Sequence, residues 1–154
     1  MEYRAAHAGK AKTVLHAISL RPVRGGIFVE GKTIRGAVWV RPIAAAHVLS
    51  VNGRQYRGRF LVQSSGNGYL DVIEYVELEK YLYGVLPREV GAQWPLEALK
   101  AQAVISRTFA LANRAERKGS GFDLVNDVRS QVYGGFIDEA RETNHAVDLT
   151  TGQV

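Results

Sequence analysis

An α+β fold is predicted by three features of the 154-residue sequence. The first half contains short runs of β-branched and aromatic residues separated by turn signals, which is typical of antiparallel strands. A long run rich in Ala, Leu, Lys, Gln and Arg begins at Pro95, and these residues are strong helix formers. A shorter helical pattern follows, with Gly152 beyond its end. We therefore expect an N-terminal antiparallel sheet packed on a long buried helix, with a further short helix at the C-terminal end.

Strands are predicted over residues 26–30, 34–40, 46–51, 56–63 and 69–76. Asn52-Gly53 lies between two of these runs and is a strong hairpin signal, because both residues tolerate positive φ. Gly66-Asn67-Gly68 marks the next turn. The strands are expected to form an antiparallel meander.

The helical part begins near Leu78, and Gly84 is expected to end a first short helix. Residues 84–95 contain two prolines and two glycines, so a loop is predicted there. The long helix is predicted over 96–118, and its small and apolar side chains lie on most of its circumference, which indicates burial on several sides. The last helix is predicted over 138–149.

The composition limits the classes of partner without choosing among them. A formal net charge of +5 and a pI near 9.6 favour an anionic partner, either nucleic acid, a membrane surface or an acidic polysaccharide. Cysteine is absent, which excludes disulfides and thiolate metal sites. Residues 1–20 do not resemble a signal peptide, and no stretch is apolar enough to span a bilayer, so this chain shows no membrane anchor and, read by itself, predicts a cytosolic protein.

One loop glutamate and one line of basic residues are the candidate functional groups. Apolar neighbours could desolvate the carboxyl of Glu89, as a general acid needs. Lys100, Arg107 and Arg114 are spaced by seven, so they form one line on a helix, with about 10.5 Å between successive side chains. Glu97 lies one turn before Lys100 and could pair with it. The line could hold an anionic polymer, and the alternative is a solvated stripe.

Other chemistries have less support from the sequence. The four histidines lie at positions 7, 16, 47 and 145, with no pair at metal-binding spacing. No nucleophile elbow supports a Ser-His-Asp triad, and no glycine-rich phosphate loop occurs. Tyr75, Tyr81, Tyr83 and Tyr133 are expected to be core or rim residues rather than sugar platforms. A nucleic-acid-binding module is permitted by charge, but no RNP-like or helix-turn-helix motif supports it.

Several segments match one family in order. They read ELEKYLYGVLPREV at 77–90, WPLEALKAQAV at 94–104, RTFAL at 107–111, NGRQYRG at 52–58 and QVYGG at 131–135. Together they resemble the signature of the SpoIID-type family, the stage II sporulation protein D or amidase-enhancer family. The resemblance covers roughly residues 50–154. It implies weakly matched N-terminal strands over 1–48 and a SpoIID-like domain over 49–154 that is truncated at its C-terminal edge.

The resemblance implies a peptidoglycan lytic transglycosylase, which cleaves the MurNAc-GlcNAc bond of denuded glycan strands and leaves 1,6-anhydroMurNAc ends. By position in the family's motifs, Glu89 corresponds to the catalytic glutamate, and Lys100, Arg107 and Tyr133 to substrate-binding residues. The alternative is a non-catalytic glycan-binding enhancer that stimulates a cell-wall amidase. Either function implies glycan strands as the partner, no nucleic acid, and a location in the cell envelope or periplasm.

No cofactor is expected. In some members of the family a zinc ion is held by cysteines and a histidine just before the QVY segment, whereas residues 126–130 read NDVRS here. The resemblance therefore implies that this chain lacks that metal site.

Overall fold

The computed structural model of the chain describes residues 2–5, 13–14, 17–44, 46–116, 121–127 and 129–154. The strands of this part are β1 (Glu2–Ala5), β2 (Thr13–Val14), β3 (Leu20–Val23), β4 (Gly26–Val29), β5 (Lys32–Ile34), β6 (Val38–Arg41), β7 (Leu49–Val51), β8 (Arg54–Tyr56), β9 (Arg59–Ser64) and β10 (Leu70–Tyr75). The helices are α1 (Leu78–Glu89), α2 (Leu96–Glu116), a short 3-10 helix (Phe136–Asp138) and α3 (Arg141–Leu149). Antiparallel sheets combined with helices confirm the predicted α+β class.

The chain forms two compact units, and neither is one continuous segment. The sheet unit comprises Met1–Leu49 and Gly58–Tyr75. The helical unit comprises Ser50–Arg57 and Val76–Val154. Each unit is described separately below.

The sheet unit contains a five-stranded antiparallel sheet in the order β10-β9-β6-β1-β2, and a three-stranded sheet in the order β3-β4-β5. Val38 lies opposite Val62 in the larger sheet, and both are buried. Side chains alternate between the two faces of a sheet, so these two valines lie on the same face. The expected meander is wrong in its order, because β6 pairs with β9 and not with the next strand in sequence. The strand predicted over 34–40 is divided into β5 and β6 because Gly36 between them has φ +96.

The helical unit contains the hairpin segment and the three α-helices. Strands β7 and β8 pair with each other, and Asn52 and Gly53 between them have φ of 49 and 80, which confirms the predicted hairpin. The last helix starts later than predicted, because a 3-10 turn precedes α3. The core of the unit contains side chains from all three helices, namely Leu82, Leu86, Ala103 and Val147 in one cluster and Val90, Leu99 and Ala146 in another.

Helix α2 is described to Glu116, and the predicted extension over 117–118 lies outside the described residues. The expectation that it is buried on several sides is wrong. It buries Leu99 and Ala103 but leaves Ile105 60% exposed. Alanine is compatible with either face of a helix, so the alanine-rich pattern did not reveal which side faces solvent. Within the described chain, neither this helix nor any other is long and apolar enough to cross a membrane.

Candidate active site

Glu89 is the last residue of α1. The loop predicted over 84–95 is therefore wrong for residues 84–89, which are helical. The helix continues through Gly84 and Pro87, and the Val90 N–H donates a hydrogen bond to the Leu86 carbonyl at 3.0 Å. Buried apolar side chains on α1 stabilise these extra turns, so tertiary packing outweighs the low helix propensity of Gly and Pro. The candidate carboxyl is therefore attached to a packed helix end.

The Glu89 side chain is exposed. The expectation that its apolar neighbours desolvate it is wrong, because Leu86 and Val90 point into the core while position 89 faces solvent. Within the described residues, Glu89 forms no hydrogen bond or ion pair. The adjacent Arg88 is different, since its guanidinium pairs with Asp138. The Glu89 carboxyl group thus lies on a fixed backbone with an open approach from solvent.

Tyr133 lies in a loop that packs on α1. Its ring centroid is 5.0 Å from that of Tyr81 and 6.1 Å from that of Tyr56, and the residue is only 6% exposed. The loop is fixed by a hydrogen bond of 3.0 Å from the Gly134 N–H to the Gly84 carbonyl. Glu89 is five residues after Gly84 in α1, which corresponds to about 7.5 Å along the helix axis. The structure therefore brings the Tyr133 loop and Glu89 to the same helix.

Gly84 is required by this contact. A Cβ atom at this position would lie 2.5 Å from the Cε2 atom of Tyr133 and 3.1 Å from the Gly135 carbonyl oxygen. The residue that the sequence suggests as the end of a helix is therefore a packing site inside one.

The three basic residues of the predicted line occupy three different environments. Lys100 is partly exposed and its Nζ lies 3.0 Å from both carboxylate oxygens of Glu97, which confirms the predicted pairing. Arg114 is 70% exposed, and its Nε lies 3.7 Å from the Asp123 carboxylate. Arg107 is 1% exposed. The line is therefore not one solvated stripe.

Arg107 is bound entirely by groups of the helical unit. Its guanidinium donates to both carboxylate oxygens of Glu79 at 2.9 and 2.6 Å, and to the carbonyls of Gln153 at 2.9 Å and Val147 at 3.4 Å. These bonds connect α2 to α1, to α3 and to the residues after α3. The geometry favours a structural role for Arg107, in which it connects the helices of this unit. Its contact with substrate stays a prediction.

A second polar cluster, which the sequence did not identify, lies between the hairpin segment and α3. Arg57 donates two hydrogen bonds to Glu139, at 2.6 and 2.8 Å, and stacks over the Phe136 ring at 4.7 Å. Burial raises the pKa of Tyr83 to about 12, and the hydrogen bond of 2.5 Å that it donates to Asp148 contributes to the same rise in pKa. Arg57 belongs to the NGRQYRG segment, but no local motif indicates its acidic partner 82 positions away.

The segment at 126–130, where the family resemblance implies that zinc ligands are missing, forms hydrogen bonds through its described residues. Asn126 accepts a hydrogen bond of 3.0 Å from the Tyr133 N–H, and the Arg129 guanidinium pairs with Asp127. Val128 lies outside the described residues. In the part of the chain that the structure describes, no group of three or more His, Asp or Glu side chains could hold a metal ion.

Comparisons with known proteins point to one family. The model of the family described as Stage II sporulation protein (SpoIID) matches residues 66–154. The amidase enhancer of Bacillus subtilis is 34% identical over 126 residues, which is 80% of this chain and 17% of that protein. The stage II sporulation protein D of Bacillus amyloliquefaciens is 42% identical over 66 residues, which is 40% of this chain and 19% of that protein.

A protein of Brachyspira hyodysenteriae is 36% identical over 106 residues, covering 68% of this chain and 28% of that protein. This chain thus spans less than a third of each of these relatives. No solved structure matches it. The family match covers more than half of the sequence and includes Glu89, Lys100, Arg107 and Tyr133. The chain therefore belongs to the stage II sporulation protein D family.

Proposed function

We propose that this chain acts on the bacterial cell wall, as a lytic transglycosylase that cleaves the MurNAc-GlcNAc bond of denuded glycan strands. The observation that carries the proposal is the position of Glu89, whose exposed carboxyl group lies at the end of a helix that is buried on its other side. Membership of the family and the names of two relatives, amidase enhancer and stage II sporulation protein D, support the cell-wall context. The proposed location is outside the cytoplasm.

A single carboxyl can perform this reaction. Hydrolases that cleave glycosidic bonds use two carboxyl groups, because one protonates the leaving oxygen while the other activates water or attacks the sugar. In the proposed reaction, Glu89 protonates the oxygen that links MurNAc to GlcNAc. The resulting carboxylate accepts the proton of the MurNAc 6-hydroxyl as that oxygen bonds to the anomeric carbon and closes the 1,6-anhydro ring. No water is consumed, and the carboxyl is again protonated at the end.

The exposure of Glu89 suits a polymeric substrate. A glycan strand approaches from solvent, and its sugars would cover the end of α1 as it binds. Removal of water favours the neutral form of a carboxyl, which is the form that donates the proton. We propose that substrate provides the desolvation that the apolar neighbours of Glu89 do not provide.

The remaining site residues are assigned different parts in this proposal. Lys100 is the residue of the basic line nearest in sequence to Glu89, and its partly exposed ammonium could exchange Glu97 for the lactyl carboxylate of muramic acid. Tyr133 supports α1 through Gly84 and so positions the helix that ends on Glu89. Arg107 stabilises the same unit from within.

The test is the isosteric variant Glu89→Gln, assayed by mass spectrometry of denuded strands. An amide neither delivers nor accepts the proton, and loss of proton transfer lowers rates by about 10²–10⁴-fold. We expect unchanged melting temperature and glycan binding, with anhydro products near background. Glu142→Gln is the matched control, because Glu142 is an exposed glutamate in the first turn of α3 and has no part in the proposed site. Wild-type amounts of anhydro ends from Glu89→Gln would refute the assignment.

A second function is favoured by the name of the Bacillus subtilis relative. In this alternative the domain binds glycan without cleaving it and stimulates a separate cell-wall amidase. The same assay separates the two functions. If the wild-type chain makes no anhydro ends but increases the rate of an added amidase on intact walls, the enhancer function replaces the transglycosylase.

A further inference from the structure

The outer face of the larger sheet in the sheet unit carries a compact aromatic and cationic group. Register places Trp39 on β6 opposite Leu61 on β9, and Leu61 opposite Ile73 on β10. Two residues along each strand, Arg59 on β9 lies opposite Tyr75 on β10. Side chains of directly opposite residues, and of residues two apart on one strand, share a face of a sheet. All five side chains therefore lie on the face opposite to the buried valines.

The rings of Trp39 and Tyr75 meet across the strand between them. Their centroids are 4.7 Å apart with an interplanar angle of 63°, which is the edge-to-face arrangement that aromatic pairs prefer. The Arg59 guanidinium carbon lies 4.8 Å from the Trp39 ring centroid and 5.7 Å from that of Tyr75. Two rings thus hold one cation in place, in the range where cation–π attraction operates.

The group is accessible and its cation has no acidic partner among the residues that the structure describes. Tyr75 is 40% exposed, Arg59 is exposed and Trp39 is half-buried. The contacts of Arg59 are the two rings. A guanidinium that stacks on a ring keeps the N–H groups at its edge, and these form two parallel hydrogen bonds to a carboxylate.

We infer that Trp39, Arg59 and Tyr75 form an accessory binding platform for the carboxylate-bearing glycan of the cell wall. This inference rests on the proposed function for its ligand. In a denuded strand every second sugar carries a free lactyl carboxylate beside an apolar C–H face. The carboxylate fits the edge of the Arg59 guanidinium, and the sugar C–H bonds fit the negative face of an aromatic ring. The platform uses residues of the sheet unit alone and contains none of the family's motif residues.

The experiment measures binding of the full chain to denuded strands at fixed moderate salt. Arg59→Ala removes the charge-assisted pair, and we expect a dissociation constant about tenfold higher, equivalent to about 1.4 kcal/mol. Tyr75→Ala removes a ring and is expected to weaken binding several-fold. The loss of affinity for Arg59→Lys should lie between those for Arg59→Ala and Tyr75→Ala. Uncharged chitin oligosaccharides lack the carboxylate, so their weaker binding should be unaffected by Arg59→Ala.

Two matched controls are available in the same unit. Arg21 also stacks on a ring, with its guanidinium carbon 4.1 Å from the Phe28 centroid, but no second aromatic residue flanks it among the described residues. Tyr69 is 71% exposed and lies just outside β10. Arg21→Ala and Tyr69→Ala should bind denuded strands as the wild type does. Equal losses for Arg21→Ala and Arg59→Ala would show that only net charge matters and would overturn the platform.

The outcomes for the platform and for the catalytic proposal are separable. Wild-type affinity of both Arg59→Ala and Tyr75→Ala for denuded strands overturns the platform, whatever the products are. An equal effect of Arg59→Ala on duplex DNA also overturns it, because the surface would then be a general anion site. If Arg59→Ala weakens glycan binding while the wild type makes no anhydro ends, the platform stands and the transglycosylase reaction fails.

Discussion

Replacing Arg107 with methionine tests whether this residue holds the helical unit together. Methionine keeps much of the stem but removes the donor of the Glu79 carboxylate and of the Gln153 carbonyl, whereas the Val147 carbonyl still accepts from the Thr150 N–H. Removing one member of a buried ion pair costs about 3–5 kcal/mol. The Glu79 side chain is 27% exposed and can regain water, so we expect the lower end, about 3 kcal/mol. For a chain of this size that is a fall in melting temperature of about 6–12 °C.

Thermal unfolding followed by circular dichroism measures this effect, with glycan binding measured at a temperature where the variant is folded. Arg114→Met is the matched control on the same helix, because its side chain is 70% exposed and a surface change is worth at most about 0.5 kcal/mol. Arg107→Lys keeps the charge but not the fork, so an intermediate loss is expected. An Arg107→Met variant that melts like the wild type but no longer binds glycan would refute the internal role and favour direct contact with substrate.

Three other measurements test the helical unit. Gly84→Ala places a methyl group against the Tyr133 ring and should destabilise the chain by about 1–3 kcal/mol in urea, whereas Gly91→Ala meets only a flexible side-chain end and should be nearly neutral. The folded-state pKa of Tyr83 is about 12 against an ordinary value of 10.0, so its contribution to stability is complete below pH 10 and is lost as pH rises toward 12. The Tyr83→Phe variant should lose less stability across that window, and an identical pH dependence of the two proteins would contradict the assignment. Chelator should change neither melting nor turnover, since Asn126 and Asp127 accept hydrogen bonds from the Tyr133 and Arg129 N–H groups, and zinc-reversible loss of activity would disprove this.

The elements that the sequence predicts well are those with local causes. Asn52-Gly53 adopts positive φ because of its own residue types, and Glu97 reaches Lys100 because a helix places residues three apart side by side. The start of α2 at Leu96 agrees with the Pro95 signal for the same reason. Each of these features is decided within about one turn of chain.

The errors arise where distant residues decide the outcome. Gly84 and Pro87 are local helix breakers, but α1 continues because Leu82, Val85 and Leu86 pack into the core. Spacing by seven placed Arg107 on a line of basic residues correctly. The acceptors of its hydrogen bonds, however, come from segments 28 to 46 positions away. The cluster on the outer sheet face requires the pairing of β6 with β9, which skips the intervening hairpin and has no signal in local sequence.

The route of the backbone through the two units has a consequence for dissecting this protein. The chain enters the helical unit at Ser50, leaves it after Arg57, and returns at Val76. An expressed fragment that contains only the family-matched residues 66–154 would lack Arg57, the partner of Glu139, and the backbone of Gln55, which lies against Gly135. Such a fragment would expose an unneutralised carboxylate and an uncovered stretch of backbone at Gly135. A minimal version of the helical unit must therefore supply the hairpin covalently, for example by joining it through a short linker to residue 76, instead of trimming the chain from one end.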